Sequence, residues 1–291
     1  MSNSKSYRFV NVIIIGIAIL LTIVFVYPLY YSIMASFSNS NELMRYSGLL
    51  IKPIGFSLAA YKEVLTNNLI MSGLQNTFMI MTVSLVFNMV LTSSAAYFFS
   101  RKDIMLKKAL FMYVLITMFV NGGMIPFYLT VKSLGIDNTF WAVILPGAVN
   151  TFNLIILKTG FETIPDSLIE AAKVDGGNDF LVFFKVVLPL FKSNLAVIFL
   201  YYAVSNWNSW FYASIFLRDK NLQPLQLILR QILLSNNTDS MVGGASTNDA
   251  ESFSESLKYA VICVSTLPII AIFPFLQKYF VSGIMTGAVK G

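Results

Sequence analysis

The 291-residue sequence contains no histidine and a single cysteine, Cys263. Without imidazole, the chain lacks the side chain most often used as a general acid or base near neutral pH, which is also the commonest metal ligand. One thiol rules out an intramolecular disulfide and any cysteine ligand cluster; Cys263 lies in an apolar run and reads as a small buried hydrophobe. No GxxxxGK[ST] phosphate loop occurs, and the glycines near the C-terminus lack the strand and helix that such a loop needs. Charge is scarce too. Only 12% of the residues are charged, against roughly 25% in ordinary soluble domains.

What the sequence has instead is apolar length. Hydrophobic residues make up 56% of the chain, an excess that a soluble core has no room to hide. A bilayer-spanning helix needs about 20 mostly apolar residues. Six runs fit, at residues 10–37, 74–99, 104–131, 140–157, 195–217 and 257–281. The expected fold is therefore an all-α membrane protein with one transmembrane domain over residues 1–291. The first run follows Lys5 and Arg8 and is far longer than a signal-peptide core of about 7–15 residues, so it is expected to stay uncleaved.

Charge placement gives the orientation. With both termini in the cytoplasm, 12 of the 20 Lys and Arg lie on that side, together with 6 of the 14 acidic residues, giving net charges of +6 inside and zero outside. The basic balance thus follows the positive-inside rule and gives no reason to expect a nucleic-acid partner. None of the carboxylates falls within a span, and Lys258 and Lys278 sit at the ends of the last one, where they snorkel. A proton-coupled carrier is expected to keep an ionisable relay at membrane depth, which argues against that class. An ion-coupled secondary transporter that uses backbone carbonyls stays open as the alternative, and a membrane-embedded hydrolase fares worst for want of chemistry.

The cytoplasmic stretch 158–194 reads as two short helices around a glycine break. Thr163 with Asp166 three residues later matches a capping box, Pro165 suits a first turn, and Leu168, Ala171 and Ala172 form one apolar face. Gly176 and Gly177 stop that helix, and Asn178 caps the next. Phe180, Phe183, Phe184 and Val187 then fall at helical spacing in one hydrophobic stripe, which Leu188 and Pro189 end. An amphipathic hairpin of this kind needs a surface to pack on.

Glu170, Ala171 and Ala172, then three residues, Gly176, nine residues, Val186, one residue, Leu188 and Pro189 together resemble the EAA loop of bacterial ABC importer permeases, with Val186 standing where isoleucine is commoner. The chain from Asn121 onward is similar to the carbohydrate branch of that family, of the maltose-permease G type. The carriers of this likeness are Gly122, Gly123, Met124, Ile125 and Pro126, the trio Asn206, Trp207 and Asn208, and the ending from Gly283 to Gly291. Within the branch it looks most like the subgroup for complex oligosaccharides, including uronate-containing ones.

The resemblance implies the six-helix type I permease fold in the bacterial cytoplasmic membrane, and sugar import by alternating access. Implied partners are a second homologous permease, two copies of a cytoplasmic ATPase that bind the ATP and magnesium, an external solute-binding protein, the sugar and the bilayer. This chain would itself bind no cofactor or metal and catalyse nothing. Glu170, Ala171, Ala172, Asp175, Gly176, Phe180, Phe183, Phe184, Leu188 and Pro189 would form the ATPase-coupling hairpin, with Glu170 facing a basic residue; the bland alternative for Glu170 is a solvated helix charge. Gly287 and Lys290, in the tail 282–291, would reach between the ATPase subunits, against the competing view of a frayed terminus.

Outside, residues 218–256 form a long polar loop. In it Leu225, Ile228, Leu229 and Ile232 are at helical spacing, fitting either a short helix that seats the binding protein or a purely structural element. Asn121, Tyr202, Asn206, Trp207 and Asn208, with Asn88, Asn150 and Asn153, offer the amides and aromatic faces that sugars prefer. They are candidates for the translocation path, or else ties between helices.

Overall fold

The computed structural model describes residues 4–234, 255–272 and 274. In order, the helices are α1 (Ser4–Ser36), α2 (Ser40–Arg45), α3 (Ala59–Thr66), α4 (Asn68–Ser100), α5 (Lys107–Phe119), α6 (Met124–Ser133), α7 (Trp141–Ile144) and α8 (Thr151–Phe161). There follow α9 (Asp166–Val174), α10 (Asp179–Val182), a π turn (Phe183–Val187), α11 (Leu188–Leu190), α12 (Lys192–Trp207), α13 (Phe211–Phe216), a 3₁₀ turn (Lys220–Leu222) and α14 (Leu225–Leu234). Last comes α15 (Glu255–Ile272). The fold is all-α, as expected, and no strand occurs among the described residues.

Three helices, Val10–Ser36, Asn68–Ser100 and Glu255–Ile272, are long and apolar enough to cross a membrane, and two bent pairs bring the number to at most five among the described residues. From Val10 to Met34 no residue of α1 is buried within the chain, and burial begins at Ala35. A helix apolar all round is stable in that state only in lipid or against other helices, because nothing in it presents a polar face to water.

The run 104–131 was expected as one rod, but it is two. α5 and α6 meet at 117°. The cause is local: Asn121 Oδ1 accepts a hydrogen bond from the Gly123 N–H at 2.9 Å, and Gly123 takes φ +89°, which favours glycine. The run 140–157 is likewise broken, into the four residues of α7, an irregular segment containing Pro146 and Gly147, and α8. The run 195–217 begins earlier, at Lys192, and breaks between α12 and α13. Only the first part of the run 257–281 lies within the described residues.

The described residues form two compact units, residues 4–71 with 229–234 and 255–267, and residues 72–228 with 268–272 and 274. In the first, Ala35, Leu43 and Leu50 make a small core, with Tyr31, Met34 and Tyr259 packed on it. In the second, Leu157, Phe161, Ile169, Val182, Phe183, Val187, Ile198 and Tyr202 form one core. The α9–α11 hairpin is thereby welded to α8 and α12. In α14 the four stripe residues Leu225, Ile228, Leu229 and Ile232 are all buried within the chain, so this stripe is structural and not a docking face.

Candidate functional site

The hairpin starts at Pro165, which occupies the N-cap of α9 without a side-chain cap bond. The expected capping box does not form: Thr163 Oγ1 donates to the Gly160 carbonyl at 2.8 Å. With Pro165 as N-cap, Thr163 lies two residues too early to reach the first free N–H groups. Asp166 instead accepts from Lys102 Nζ at 2.7 Å. That direct hydrogen bond holds the Asp166 carboxyl below the usual carboxylate range and raises the Lys102 ammonium. Both groups are exposed to solvent, so the pair fixes geometry more than it adds stability.

α9 ends in a Schellman turn. Gly176 N–H donates to the Lys173 carbonyl at 3.0 Å and Gly177 N–H to the Ala172 carbonyl at 2.9 Å, the paired closure that this motif requires. Gly176 adopts φ +86°, a conformation costly for any residue with a Cβ. Lys173 Nζ reaches Asp179 across the turn at 3.0 Å. Asn178 Oδ1 accepts from the Leu181 N–H at 2.9 Å and caps α10 as expected.

The second arm departs from the expected single stripe. Phe183 and Val187 are 6% and 0% exposed, whereas Phe180 and Phe184 are 76% and 60% exposed. Phe183 packs on the Tyr97 ring with centroids 5.1 Å apart. Two of the four residues therefore serve this chain's own core, whereas Phe180 and Phe184 are exposed, the Phe184 ring resting edge-on against Phe183 with centroids 5.0 Å apart. The arm is also wider than an α-helix: the Leu188 N–H closes a π turn on the Phe183 carbonyl. Pro189 has no N–H for the carbonyl four residues back, and its ring would press on it; a widened turn relieves both problems. Leu188 and Pro189 do not end the arm, which continues to Leu190; the chain then bends by 85° into α12.

On the first arm the inward residue is Ile169, 3% exposed, with Ala172 packed against the same core. The expected face of Leu168, Ala171 and Ala172 is thus rotated by one position, leaving Leu168 and Ala171 outward. Glu170 and Asp175 are exposed, and neither makes an ion pair among the described residues. Gly287 and Lys290 lie outside the described residues.

A second feature is a cleft of about 490 Å³ lined by Asn150, Phe152 and Asn153, by Tyr201, Tyr202, Ser205 and Asn206 of α12, and by Ser209 and Tyr212, among others. One wall is the irregular segment between α7 and α8. Non-helical backbone of this kind survives in an apolar environment only if its polar groups find partners. Asn88, wholly buried, donates through Nδ2 to the carbonyls of Gly147 at 2.7 Å and Ala148 at 3.0 Å. Asn206 Nδ2 donates to Asn88 Oδ1 at 2.9 Å. The Tyr202 hydroxyl accepts from the Asn150 N–H at 2.8 Å and lies 2.7 Å from Thr92 Oγ1.

Of the path candidates, Tyr202 and Asn206 therefore border the cleft and also tie helices together. Trp207 is buried edge-on against Phe78, with centroids 5.4 Å apart. Asn208 Nδ2 donates to the Val204 carbonyl at 2.9 Å, and Asn121 makes the turn before α6. None of these three lines the cleft. Ile169 and the cleft residues Ser205, Ser209 and Tyr212 lie outside the motifs that the sequence displays. Ile169 was legible as the i−3 neighbour of Ala172; the serines carry no signal until α8 and α12 are juxtaposed.

Comparison with known proteins places this architecture. Residues 51–286 match the family described as binding-protein-dependent transport system inner membrane component. The chain is 40% identical over 287 residues to the polygalacturonan/rhamnogalacturonan transport system permease protein YtcP of Bacillus subtilis (strain 168), covering 98% of this chain and 99% of that protein. Protein LplC of the same organism is 38% identical, over 100% and 98% of the two chains. A crystal structure of a bacterial ABC transporter involved in import of the acidic polysaccharide alginate superposes with a TM-score of 0.88 at 30% identity, over 96% of this chain and 98% of that one. The chain belongs to the binding-protein-dependent transport system inner membrane component family, the permeases of ABC importers.

Proposed function

We propose that this chain is one of two homologous permease subunits of an ATP-driven importer for uronate-containing oligosaccharides. Two copies of a separate cytoplasmic ATPase hold the ATP and magnesium, an external binding protein delivers the sugar, and both termini of this chain face the cytoplasm. The observation that carries the reading is the hairpin: Phe180 and Phe184 are exposed on an arm whose other side, through Phe183 and Val187, is locked in the chain's own core. An exposed aromatic pair on a rigidly rooted element is a docking face. Glu170, exposed and without an ion pair among the described residues, is available to a basic group on the partner.

The rooting supplies the mechanics. Ile169, Val182, Phe183 and Val187 share one core with Leu157, Phe161, Ile198 and Tyr202 of α8 and α12. A displacement of the hairpin by closing ATPase subunits is therefore passed to α8 and α12 without slack, because packed cores shift as units. Exchanging a 1:99 population of inward and outward states for 99:1 takes about 5.5 kcal/mol of differential binding. ATP-driven closure and the loaded binding protein share that work.

The sugar class rests on two relatives of nearly full-length coverage, whose names give polygalacturonan/rhamnogalacturonan and alginate as what they transport or import. An ion-coupled carrier would leave the exposed hairpin without a purpose. The test is co-purification: the ATPase should accompany the unaltered chain and be lost with Gly176→Val. Glu170→Ala should abolish transport-stimulated ATP hydrolysis while the binding protein still binds sugar. Full ATP-dependent uptake of oligogalacturonides by both variants overturns the coupling role, and absence of such uptake by the unaltered transporter overturns the substrate class.

A further inference from the structure

We propose that the turn between α4 and α5 holds the headgroup of an anionic phospholipid, whose acyl chains lie along the outer face of α5. The inference needs only the membrane assignment of α4 and is independent of the cargo. α4 is long and apolar enough to cross the membrane, and it ends at Ser100. The turn that follows, residues 101–108, therefore sits at a membrane surface. It carries four basic groups, Arg101, Lys102, Lys107 and Lys108, against the single carboxylate of Asp103. Lys102, Lys107 and Lys108 line a nook of about 440 Å³ together with Ile104 and Leu106.

The chain's own carboxylates do not neutralise this cluster. Asp166 takes Lys102 at 2.7 Å. Glu162 is shared by Lys158 at 2.8 Å and Lys107 at 3.8 Å, so one carboxylate faces two ammonium groups. Lys107 Nζ also donates to the Arg101 carbonyl at 2.6 Å and keeps further N–H groups to give. Lys108 is exposed and makes no ion pair among the described residues, and neither does Arg101. Asp103 offsets only one of these charges.

The surroundings select a lipid over a soluble anion. Met105 and Leu106, beside the lysines, are 86% and 68% exposed. Leu106, Leu110 and Tyr113 recur at i, i+4 and i+7 and are all exposed, so an apolar track runs from the nook along α5. A phosphodiester on Lys107 and Lys108 gains charge-assisted hydrogen bonds, while the acyl chains cover the track. Basic clusters at a membrane surface attract anionic headgroups in this way. Free phosphate would use the lysines and leave the track bare. A zwitterionic lipid would bring its own ammonium group to a site already rich in positive charge.

The experiment uses the complete transporter purified in detergent, with dioleoylphosphatidylglycerol as probe. Leu110→p-benzoylphenylalanine should form a photo-adduct with this lipid, and several-fold less with dioleoylphosphatidylcholine. Adding Lys108→Gln should lower the adduct at sub-saturating lipid about fivefold, the factor for one basic group at an anionic membrane surface. Lys107→Gln together with Lys108→Gln should lower it further, whereas Lys62→Gln in α3 should leave it unchanged. Equal adducts with the two lipids, or no loss in the lysine variants of the turn, overturn the headgroup site. An adduct with the companion permease or the ATPase in place of lipid shows that protein covers the track, and overturns it too. Removal of the adduct by inorganic phosphate, but not by chloride at equal ionic strength, assigns the lysines to a soluble anion and against the lipid. The readout is binding and not transport, so failure of oligogalacturonide uptake sinks the sugar reading alone, and failure of the photo-adduct sinks this site alone.

Discussion

The Gly177 N–H donates to the Ala172 carbonyl at 2.9 Å, and a Cβ on Gly177 would stand 2.5 Å from that same oxygen. The bond that closes the turn and the closeness that excludes a side chain are one relationship. Gly176 beside it is under a different constraint: it has open space around it but φ of +86°. Both glycines are thus required, one by contact and one by conformation.

Gly177→Ala must therefore either break that hydrogen bond or displace the end of α9. The cost is roughly 1–3 kcal/mol, in the range of locally stored backbone strain. Amide hydrogen exchange over residues 172–182 of the purified complex should speed up about tenfold, since about 1.4 kcal/mol is a factor of ten. Uptake should fall with it. Unaltered exchange in the variant would show that the turn tolerates the methyl group, and that Gly177 is not a structural requirement.

The two neighbouring phenylalanines should separate stability from coupling. Phe183 is buried against Tyr97 and Val187, so Phe183→Ala should lower the unfolding stability of the chain by about 3–5 kcal/mol, as for other buried phenylalanines. Phe180 is 76% exposed, and Phe180→Ala should change unfolding by less than about 0.5 kcal/mol. It should nevertheless weaken ATPase binding by more than about 1 kcal/mol if it anchors the docking face. Thermal unfolding in detergent and ATPase pull-down read these two quantities independently. A Phe180 variant that binds the ATPase normally would move the docking face elsewhere on the hairpin.

Composition alone made the membrane class legible, and the spacing from Glu170 to Pro189 made the hairpin legible down to its cap at Asn178 and its glycine stop. The errors share one cause. Periodicity says that apolar residues lie on a helix face, but not whether the face meets this chain or another one; hence Phe183 and Val187 were grouped with Phe180 and Phe184. Hydropathy likewise sees the apolar run 104–131 but not the turn that Asn121 and Gly123 cut into it. The polar residues of the cleft gave no periodic signal, because α8 and α12 are about forty residues apart in the sequence and only packing brings Asn153 and Ser205 to one space.

Asn88 offers the last test, since it bonds the irregular wall of the cleft directly to the long helix α4. It makes three hydrogen bonds, to the Gly147 and Ala148 carbonyls and with Asn206 Nδ2, whereas the Asn206 side chain contributes the single bond to Asn88. Hydrogen bonds between helices in membranes are worth about 0.6 kcal/mol on average and up to about 1.7 kcal/mol. Asn88→Leu should therefore destabilise the chain by about 2–4 kcal/mol, and Asn206→Leu by about 1 kcal/mol. Unfolding of the detergent-solubilised chain by denaturant measures the difference, and its order is the informative part. If Asn206→Leu costs as much as Asn88→Leu, the carbonyls of Gly147 and Ala148 find other partners, and the wall is not held by Asn88. If the predicted order holds, the same Asn88 variant should also lose uptake, because the segment that it releases leads directly into Asn150 and Asn153 at the mouth of the cleft.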